Sequence, residues 1–463
     1  MAVVNEQALS RLRGAFQGEI IQSGDPEYET ARRVYNAMID KRPATVARCR
    51  DVADVVAAVN FGRESRQAVA IRGGGHNGAG FGTVDGGLVI DLSRMNGVRV
   101  DPEARQATVQ GGALLGDLDQ AAHAFGLATP AGIISTTGVG GLTLGGGHGY
   151  LSRKYGLTVD NLVSAQVVLA DGRVVTASAE SHPDLYWALR GGGGNFGVVT
   201  SFTLRLHPVS TIIGGPTFWS LDDAEKVLRW YREWQPRASE DVSGFFAFVT
   251  VPPVPPFPEQ LHLRKVCGMI WCYTGPADQA TRAFAPALDA ATPLLHGVHE
   301  MPYPMLQRAF DGLYPPGDQW YWRGDFFKTI PDGAISRHLE FVEKMPLGQS
   351  TMHLYPVDGA VHRVGPNDTP FNYRDANWSM VIAGVDRDPA NAAKIRSWAV
   401  DYWEALHPYS AGGAYVNFMM DEGQERVQAT YRDNYARLAR IKAAFDPDNL
   451  FRVNQNIKPG NAA

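Results

Sequence analysis

The sequence predicts an α+β protein of two domains, and three observations carry that prediction. Its 463 residues exceed what one ordinary core accommodates, since domains cluster near ~100 to 150 residues. Short Val/Ile-rich runs alternate with helix-like stretches. The chain has 50 glycines, and their clusters stop at about residue 209, where Pro-, Trp- and Phe-rich segments such as VTVPPVPPFPEQ and MIWCYTG take over. A composition of 44% hydrophobic and 20% charged residues is that of a globular chain with sizeable cores.

In chain order, residues 1–42 place Tyr28, Ala31, Val34, Tyr35 and Met38 at three-to-four spacing, which predicts a leading helix with a loop. From Pro43 come the strand candidates VARCR, AVAIR, GLVIDLS, ATVQ and GVVTSFTLRL, interleaved with the helix candidates DVADVVAAVNFGRES and ALLGDLDQAAHAFG. Two hairpins are predicted. One runs from Val98 to Gln110 around AspProGluAla, the other from Leu162 to Ser178 with its turn at Asp171 and Gly172. Beyond residue 209, GFFAFVTV, VCGMIWCY, WSMVIAGV and GGAYVNFM read as strands, and DDAEKVLRWYREW and AAKIRSWAVDYWEAL as helices. The tail predicts a basic helix stopped at Asp446 and Pro447, then an extended end.

Several function classes are excluded. A net charge of −5 offers no cationic field for a polyphosphate backbone, so nucleic acid is not an expected partner. No run of about 18 apolar residues is present, and acidic residues stand where a signal peptide needs an apolar run; we expect a cytoplasmic protein without a membrane partner. Cys49, Cys267 and Cys272 form no CxxC pair, so neither a disulfide framework nor a metal site is expected. No GxGxxG stands between a strand and a helix with an acidic residue about 20 positions on, as a Rossmann fingerprint requires, and GK[ST], HExxH and GxSxG are absent.

Three glycine clusters remain. In AVAIRGGGHNGAGFG a strand candidate runs into Gly73, Gly74 and Gly75, where a backbone without side chains can bring N–H groups to an anion, with Arg72 anchoring the turn and His76 projecting from it. Taken alone, such a loop also fits a plain turn. The stretch TTGVGGLTLGGGHGYLSRKYGLTVDN holds seven glycines between Gly138 and Gly149, and DLYWALRGGGGNFGVVTSF holds Gly191–Gly194 and Gly197. Three such loops within about 125 residues point to one extended cofactor, since a single phosphate needs one cradle.

These loops, in this order over residues 43–208, resemble the FAD-binding domain of the vanillyl-alcohol oxidase (PCMH-type) superfamily. The tail AYVNFMMDEG…YRDNYARLARIKAAFDPDNLFRVNQNIKP resembles its berberine bridge enzyme-like branch. The resemblance implies an FAD domain over 1–208, an α+β substrate domain built on an antiparallel sheet over 209–440, and a segment 441–463 that returns to the FAD domain. It makes His76 the covalent anchor of FAD. The position at which many relatives add a cysteine thioether, four residues before Gly138, is Ile134 here, so one bond is expected instead of two. Arg72, Gly73, Gly74, Gly75, Asn77 and Gly78 would form the first wall, and Thr137, Gly138, Gly140, Gly141, Leu142, Gly147, His148 and Gly149 the second. Asn195 and Val199 would line the nucleotide end, with Asn454 and Gln455 returning to the ring.

The implied activity is an oxidase that takes a hydride from an alcohol, amine, phenol or sugar and passes the electrons to O2. Tyr415, with a lowered pKa, would take the proton, and Asn417 would share its strand face. A second reading is a natural-product flavin oxygenase that oxidises an aromatic or polyketide-like molecule through an N5-oxygenated flavin. Such enzymes share the single histidyl bond and a TGVxGLT-type loop, here Thr137–Thr143, with Thr137 and Leu142 shaping the oxygen pocket. A non-redox binding protein is disfavoured by the intact loops and tail. Tyr321, Arg323, Asp325, His353, Tyr355 and Arg374 are expected to be structural residues of second-domain strands. Trp271, Tyr273, Trp320, Tyr321 and Trp322 are candidates to stack on a flat ligand.

Overall fold

A computed structural model describes residues 6–460. The first sheet has four strands in the order Glu19–Gln22, Thr45–Arg48, Leu88–Asp91 and Val69–Arg72. The last three are mutually parallel, which the hairpin signals elsewhere did not foretell. The crossover that makes this possible is the helix Val52–Ser65, whose first turn is held by the Asp51 carboxylate accepting from the Asp54 amide. Residues Tyr28–Met38, expected to be one helix, form only a single turn at Tyr28–Ala31 and then a loop. That loop is occupied with tertiary contacts: Tyr35 donates its hydroxyl to the Tyr314 carbonyl, and the Asn36 amide bridges Gly78 and Trp320.

A second, antiparallel sheet contains both predicted hairpins. Val98–Asp101 pairs with Gln106–Gln110, and Leu162–Val168 pairs with Val174–Ser178. Gly172 supplies the turn at φ +87°. Between the hairpins lies Val198–Arg205, paired with Gln106–Gln110 on one side and Leu162–Val168 on the other.

The third sheet is antiparallel and has eight strands. Seven run in the order Leu295–His296, Thr211–Ser220, Lys265–Tyr273, Val242–Thr250, Thr351–Pro356, Trp378–Asp386 and Gln319–Phe327, and His299–Pro302 also pairs with Thr211–Ser220. One face is covered by the helices Ala224–Trp234, Ala280–Ala290, Asp332–Glu343 and Ala392–Leu406, which bury Phe246, Phe248, Met352, Leu354, Met380 and Ile382 against Tyr231, Ile335 and Tyr402. The other face looks toward the glycine loops. Since side chains alternate across a strand, this division sets which residues can reach the cavity.

The tail helix Asn434–Phe445 packs against Pro183–Leu189 and against the preceding helix Gln424–Tyr431. The segment GGAYVNFM is not a strand: Ala414–Tyr415 is extended loop and Val416–Phe418 a 3-10 turn. No helix among the described residues is long and apolar enough to cross a membrane.

Candidate functional site

The three glycine loops, the end of the tail and the uncovered face of the third sheet enclose one cavity of about 330 Å3. The first two loops touch without side chains. A Cβ on Gly74 would lie 2.4 Å from the Gly138 nitrogen, and one on Gly138 would lie 2.3 Å from the Gly74 nitrogen. Only glycine permits that approach. Arg72, at the end of its strand, donates to Asp91 at 2.7 Å and to the Arg33 carbonyl at 3.2 Å, which fixes the loop's base.

Gly75 turns the chain at φ +71° and presents His76 at the cavity wall. The imidazole stacks on Tyr35, with ring centroids 3.9 Å apart and planes at 20°. The Tyr35 amide donates to the Gly75 carbonyl, tying the two segments together. Thr136 and Thr137 hydroxyls lie 3.1 Å from His76 Nε2 and 3.4 Å from Nδ1. Burial pushes the imidazole down to about 3, outweighing the Thr136 contact, so the ring is neutral at physiological pH.

The third loop is stitched to the tail. Asn195 Nδ2 donates to the Gln455 carbonyl and its Oδ1 accepts from the Ile457 amide, while Asn454 donates to the Gly194 carbonyl. Beneath this seam, buried Lys442 donates to Asn195 O at 2.7 Å, to Phe451 O at 2.9 Å and to Asp446.

Tyr415 reaches the cavity from the tail side. Its hydroxyl accepts from the Gly147 amide at 3.0 Å and from the Asn417 side chain at 2.7 Å. Asn417 also donates to the carbonyls of Gly141 and Leu142. The two residues thus cooperate through the 3-10 turn rather than by sharing a strand face. The expectation of an acidified phenol is overturned: burial drives Tyr415 up to about 12, exceeding the opposite pull of Asn417 and Gly147. His148 packs on Tyr415 at 4.4 Å, places Nε2 3.1 Å from the Ser379 hydroxyl, and is held by burial down to about 3.

Of the expected cofactor residues, Gly78, Gly147 and Gly149 do not line the cavity, while the others do. Gly78 supports the Trp322 indole, Gly147 holds Tyr415, and Gly149 donates to the Ser152 hydroxyl. The second-domain candidates divide by strand alternation. His353, Tyr355, Trp320 and Trp322 line the cavity, so His353 and Tyr355 are not confined to the framework role expected of them. Trp271, Tyr273 and Tyr321 face the helices. Arg323 pairs with Glu422, Asp325 with Arg426, and Arg374 with Asp160 from a loop rather than a strand. Tyr35 and Thr136, both on His76, carry no motif and escaped the sequence reading.

The residues present fit an extended flavin dinucleotide. Gly141 and Gly194 line the cavity with no atom within 4 Å of where a Cβ would be, so their missing side chains leave room for a ligand. Asn454 Oδ1 is buried there without a partner. A cavity bordered by three glycine loops and lacking a charged carboxylate is suited to a large, largely neutral ring system joined to a phosphate-bearing end.

Comparisons with known proteins agree. An FAD binding domain model matches residues 43–178, and a berberine and berberine-like model matches residues 414–458. An FAD-linked oxidoreductase of Bacillus subtilis is 32% identical, the alignment covering 96% of this chain and 97% of that protein. The crystal structure of 6-hydroxy-D-nicotine oxidase from Arthrobacter nicotinovorans is similar with a TM-score of 0.85 and 27% identity, covering 96% of this chain and 98% of that one. Xylooligosaccharide oxidase from Myceliophthora thermophila, in complex with xylobiose, is similar with a TM-score of 0.84 and 26% identity over 98% and 100% of the two chains. The chain is therefore an FAD-linked oxidoreductase of the PCMH-type superfamily. It belongs to the berberine bridge enzyme-like family.

Proposed function

We propose that this oxidoreductase carries FAD on His76 through a single covalent bond, oxidises a small organic molecule and returns the electrons to O2. The observation that carries the reading is the His76 ring itself. It is neutral, stacked on Tyr35 and flanked by two threonine hydroxyls at the cavity wall, so a ring nitrogen lone pair is available for bonding to carbon. A second attachment lacks its residue. Ile134 lines the cavity where a thioether would start, and Cys49, Cys267 and Cys272 lie buried elsewhere.

FAD when bound supplies the two-electron acceptor. The protein's part is to orient the substrate and to govern one proton. Tyr415 stays protonated at neutral pH and, with both lone-pair directions engaged by Gly147 and Asn417, keeps its O–H to donate toward a substrate oxygen or nitrogen. It acts as an orienting donor, and the proton that leaves the substrate with the hydride passes to water. The relatives named for a hydroxynicotine and for xylooligosaccharides support a small-molecule substrate.

Oxidase character is tested by reducing the protein-bound flavin under argon and admitting air. Rapid return of the oxidised spectrum with one hydrogen peroxide per flavin is expected. Reoxidation only by an added artificial acceptor would contradict O2 as the partner.

A further inference from the structure

The uncovered face of the third sheet has a composition that selects a substrate class. Three neighbouring strands, Thr351–Pro356, Trp378–Asp386 and Gln319–Phe327, are in a register that aligns Thr351 with Ala383 and Trp322, His353 with Val381 and Gly324, and Tyr355 with Ser379 and Phe326. By alternation these residues share one face. Small Val381 and Ala383 form its floor. Trp322 and His353 stand at diagonal corners of this floor, two strands and two residues apart, about 12 Å between their backbones, with Trp320 and Tyr355 continuing outward along their own strands in opposite directions.

The polar atoms on this face are nearly all committed to one another. Thr351 donates to the Phe248 carbonyl, Ser379 meets His148, and Tyr355 lies 2.8 Å from His353 Nδ1. If Tyr355 donates to Nδ1, the only unpaired atom of that pair is the His353 Nε2–H; the opposite arrangement would leave two. His353 Nε2 and the indole nitrogens of Trp320 and Trp322 are buried without partners. With that tautomer all three are donors, and among the described residues lining the cavity the sheet offers no unpaired acceptor; the other unpartnered buried atoms of the cavity, His148 Nδ1 and Asn454 Oδ1, belong to the second glycine loop and the tail.

Charge is missing from the whole wall. Among the described residues lining the cavity, Arg72 alone is charged, and its guanidinium is taken by Asp91 and the Arg33 carbonyl. The lining carboxamides, among them Asn77, Asn417, Asn454 and Gln455, belong to the glycine loops and the tail, none to the sheet. A sugar, whose many hydroxyls each need both donor and acceptor, would leave them unpaired against this face, and an ionic substrate would bury its charge without a counter-ion.

We propose that the substrate is an uncharged, flat aromatic molecule with a hydrogen-bond acceptor, lying over Val381 and Ala383 on the diagonal between Trp322 and His353. This rests on the flavin reading above. An aromatic ring gains from the indole faces, and its carbonyl, ether or ring-nitrogen acceptor meets the unpaired N–H donors.

The test uses flavin-loaded enzyme, first bleached with dithionite to establish that a flavin is bound, and then follows the perturbation of the oxidised flavin spectrum by added probes. Expected is binding of 4-methoxybenzyl alcohol at least tenfold tighter than 4-(hydroxymethyl)benzoate or 4-(hydroxymethyl)benzylammonium, with no perturbation by xylobiose. Val381→Lys is expected to reverse the preference toward the benzoate. Should that variant fail to fold, Trp322→Ala is expected to weaken the neutral probe about tenfold. With flavin in place, binding of xylobiose or equal binding of charged and neutral probes overturns the substrate class and leaves the flavoenzyme reading standing; so does silence from every probe, or a Trp322→Ala variant that binds as wild type. Absence of any flavin removes both.

Discussion

His76 and Tyr35 lie face to face, ring centroids 3.9 Å apart, although one follows a glycine loop and the other lies within an irregular stretch 41 residues earlier. Tyr35 is fixed at both ends, by its amide on Gly75 and its hydroxyl on Tyr314. The stack limits the rotation of the imidazole from one side, and Thr136 and Thr137 limit it at the nitrogens. A Tyr35→Ala variant is expected to acquire covalent flavin up to about tenfold more slowly, matching the ~0.5–1.5 kcal/mol of an aromatic pair. Tyr35→Phe keeps the stack and loses only the hydrogen bond to Tyr314, so its rate should lie between Tyr35→Ala and wild type. Intact mass over time after adding FAD to apoprotein measures both.

Tyr415→Phe removes the orienting donor while keeping the ring packed on His148. We expect kcat/KM to fall roughly tenfold, the scale of one hydrogen bond, with a pH profile unchanged in shape. His148 and His353 are held down at about 3 and Tyr415 up at about 12. None of the three changes charge in the neutral range, so none supplies a limb of a bell-shaped profile there. A wild-type limb near neutrality that vanished in Tyr415→Phe would contradict this.

Asp119, in the helix Leu115–His123, gives a pH-dependent stability away from the cavity. Burial raises its carboxyl from 3.8 to about 7, against the Gln307 hydrogen bond, and its Oδ1 has no partner. A carboxyl raised in the folded state favours folding below the unfolded value of 3.8, and that favour is lost as pH climbs to about 7. Asp119→Asn cannot ionise and offers an N–H to the unpaired Gln307 Oε1. The variant should therefore gain about 1–3 kcal/mol over wild type above neutrality and little near ~pH 4, as read by denaturant unfolding at the two pH values.

The Lys442–Asp446 pair is fully buried, and the Asp446 carboxylate also accepts from the Leu450 and Phe451 amides. Asp446→Asn leaves the ammonium without its counter-ion and is expected to cost about 3–5 kcal/mol. Because Lys442 also holds the Asn195 carbonyl at the third glycine loop, flavin retention should fall with it. Lower Tm and lower flavin content together meet this expectation; a lower Tm with full flavin content would separate the latch from the site.

The glycine loops, both hairpins and the strands Val242–Thr250, Lys265–Tyr273 and Trp378–Asp386 of the third sheet were legible because each rests on local pattern, whereas Thr211–Ser220, broken by Gly214, Gly215 and Pro216, was not. Glycine marks close approach, and alternation marks a strand. Tyr415 and Asn417 were found by resemblance, yet their local structure was misread: AYVNF has a strand-like composition, but Val416–Phe418 turns because Asn417 is drawn onto the carbonyls of Gly141 and Leu142. The Tyr415 acidity was misjudged because burial depends on chain segments far apart in sequence. Tyr35 and Thr136 left no local signal, since their roles exist only once the first sheet brings them to His76. The assignment of Trp320, Trp322, His353 and Tyr355 to the cavity and of Tyr321, Arg323 and Asp325 away from it follows alternation, and needed only one residue's facing to be known.

The central claim is a single covalent bond from His76 to FAD, and intact mass after acid denaturation tests it most directly. Wild type should exceed its polypeptide mass by one FAD and keep its yellow colour in the precipitate, whereas His76→Ala should show the bare polypeptide mass and release any flavin to the supernatant. Wild type at bare polypeptide mass with free flavin in the supernatant, or His76→Ala still carrying the adduct, would contradict the account.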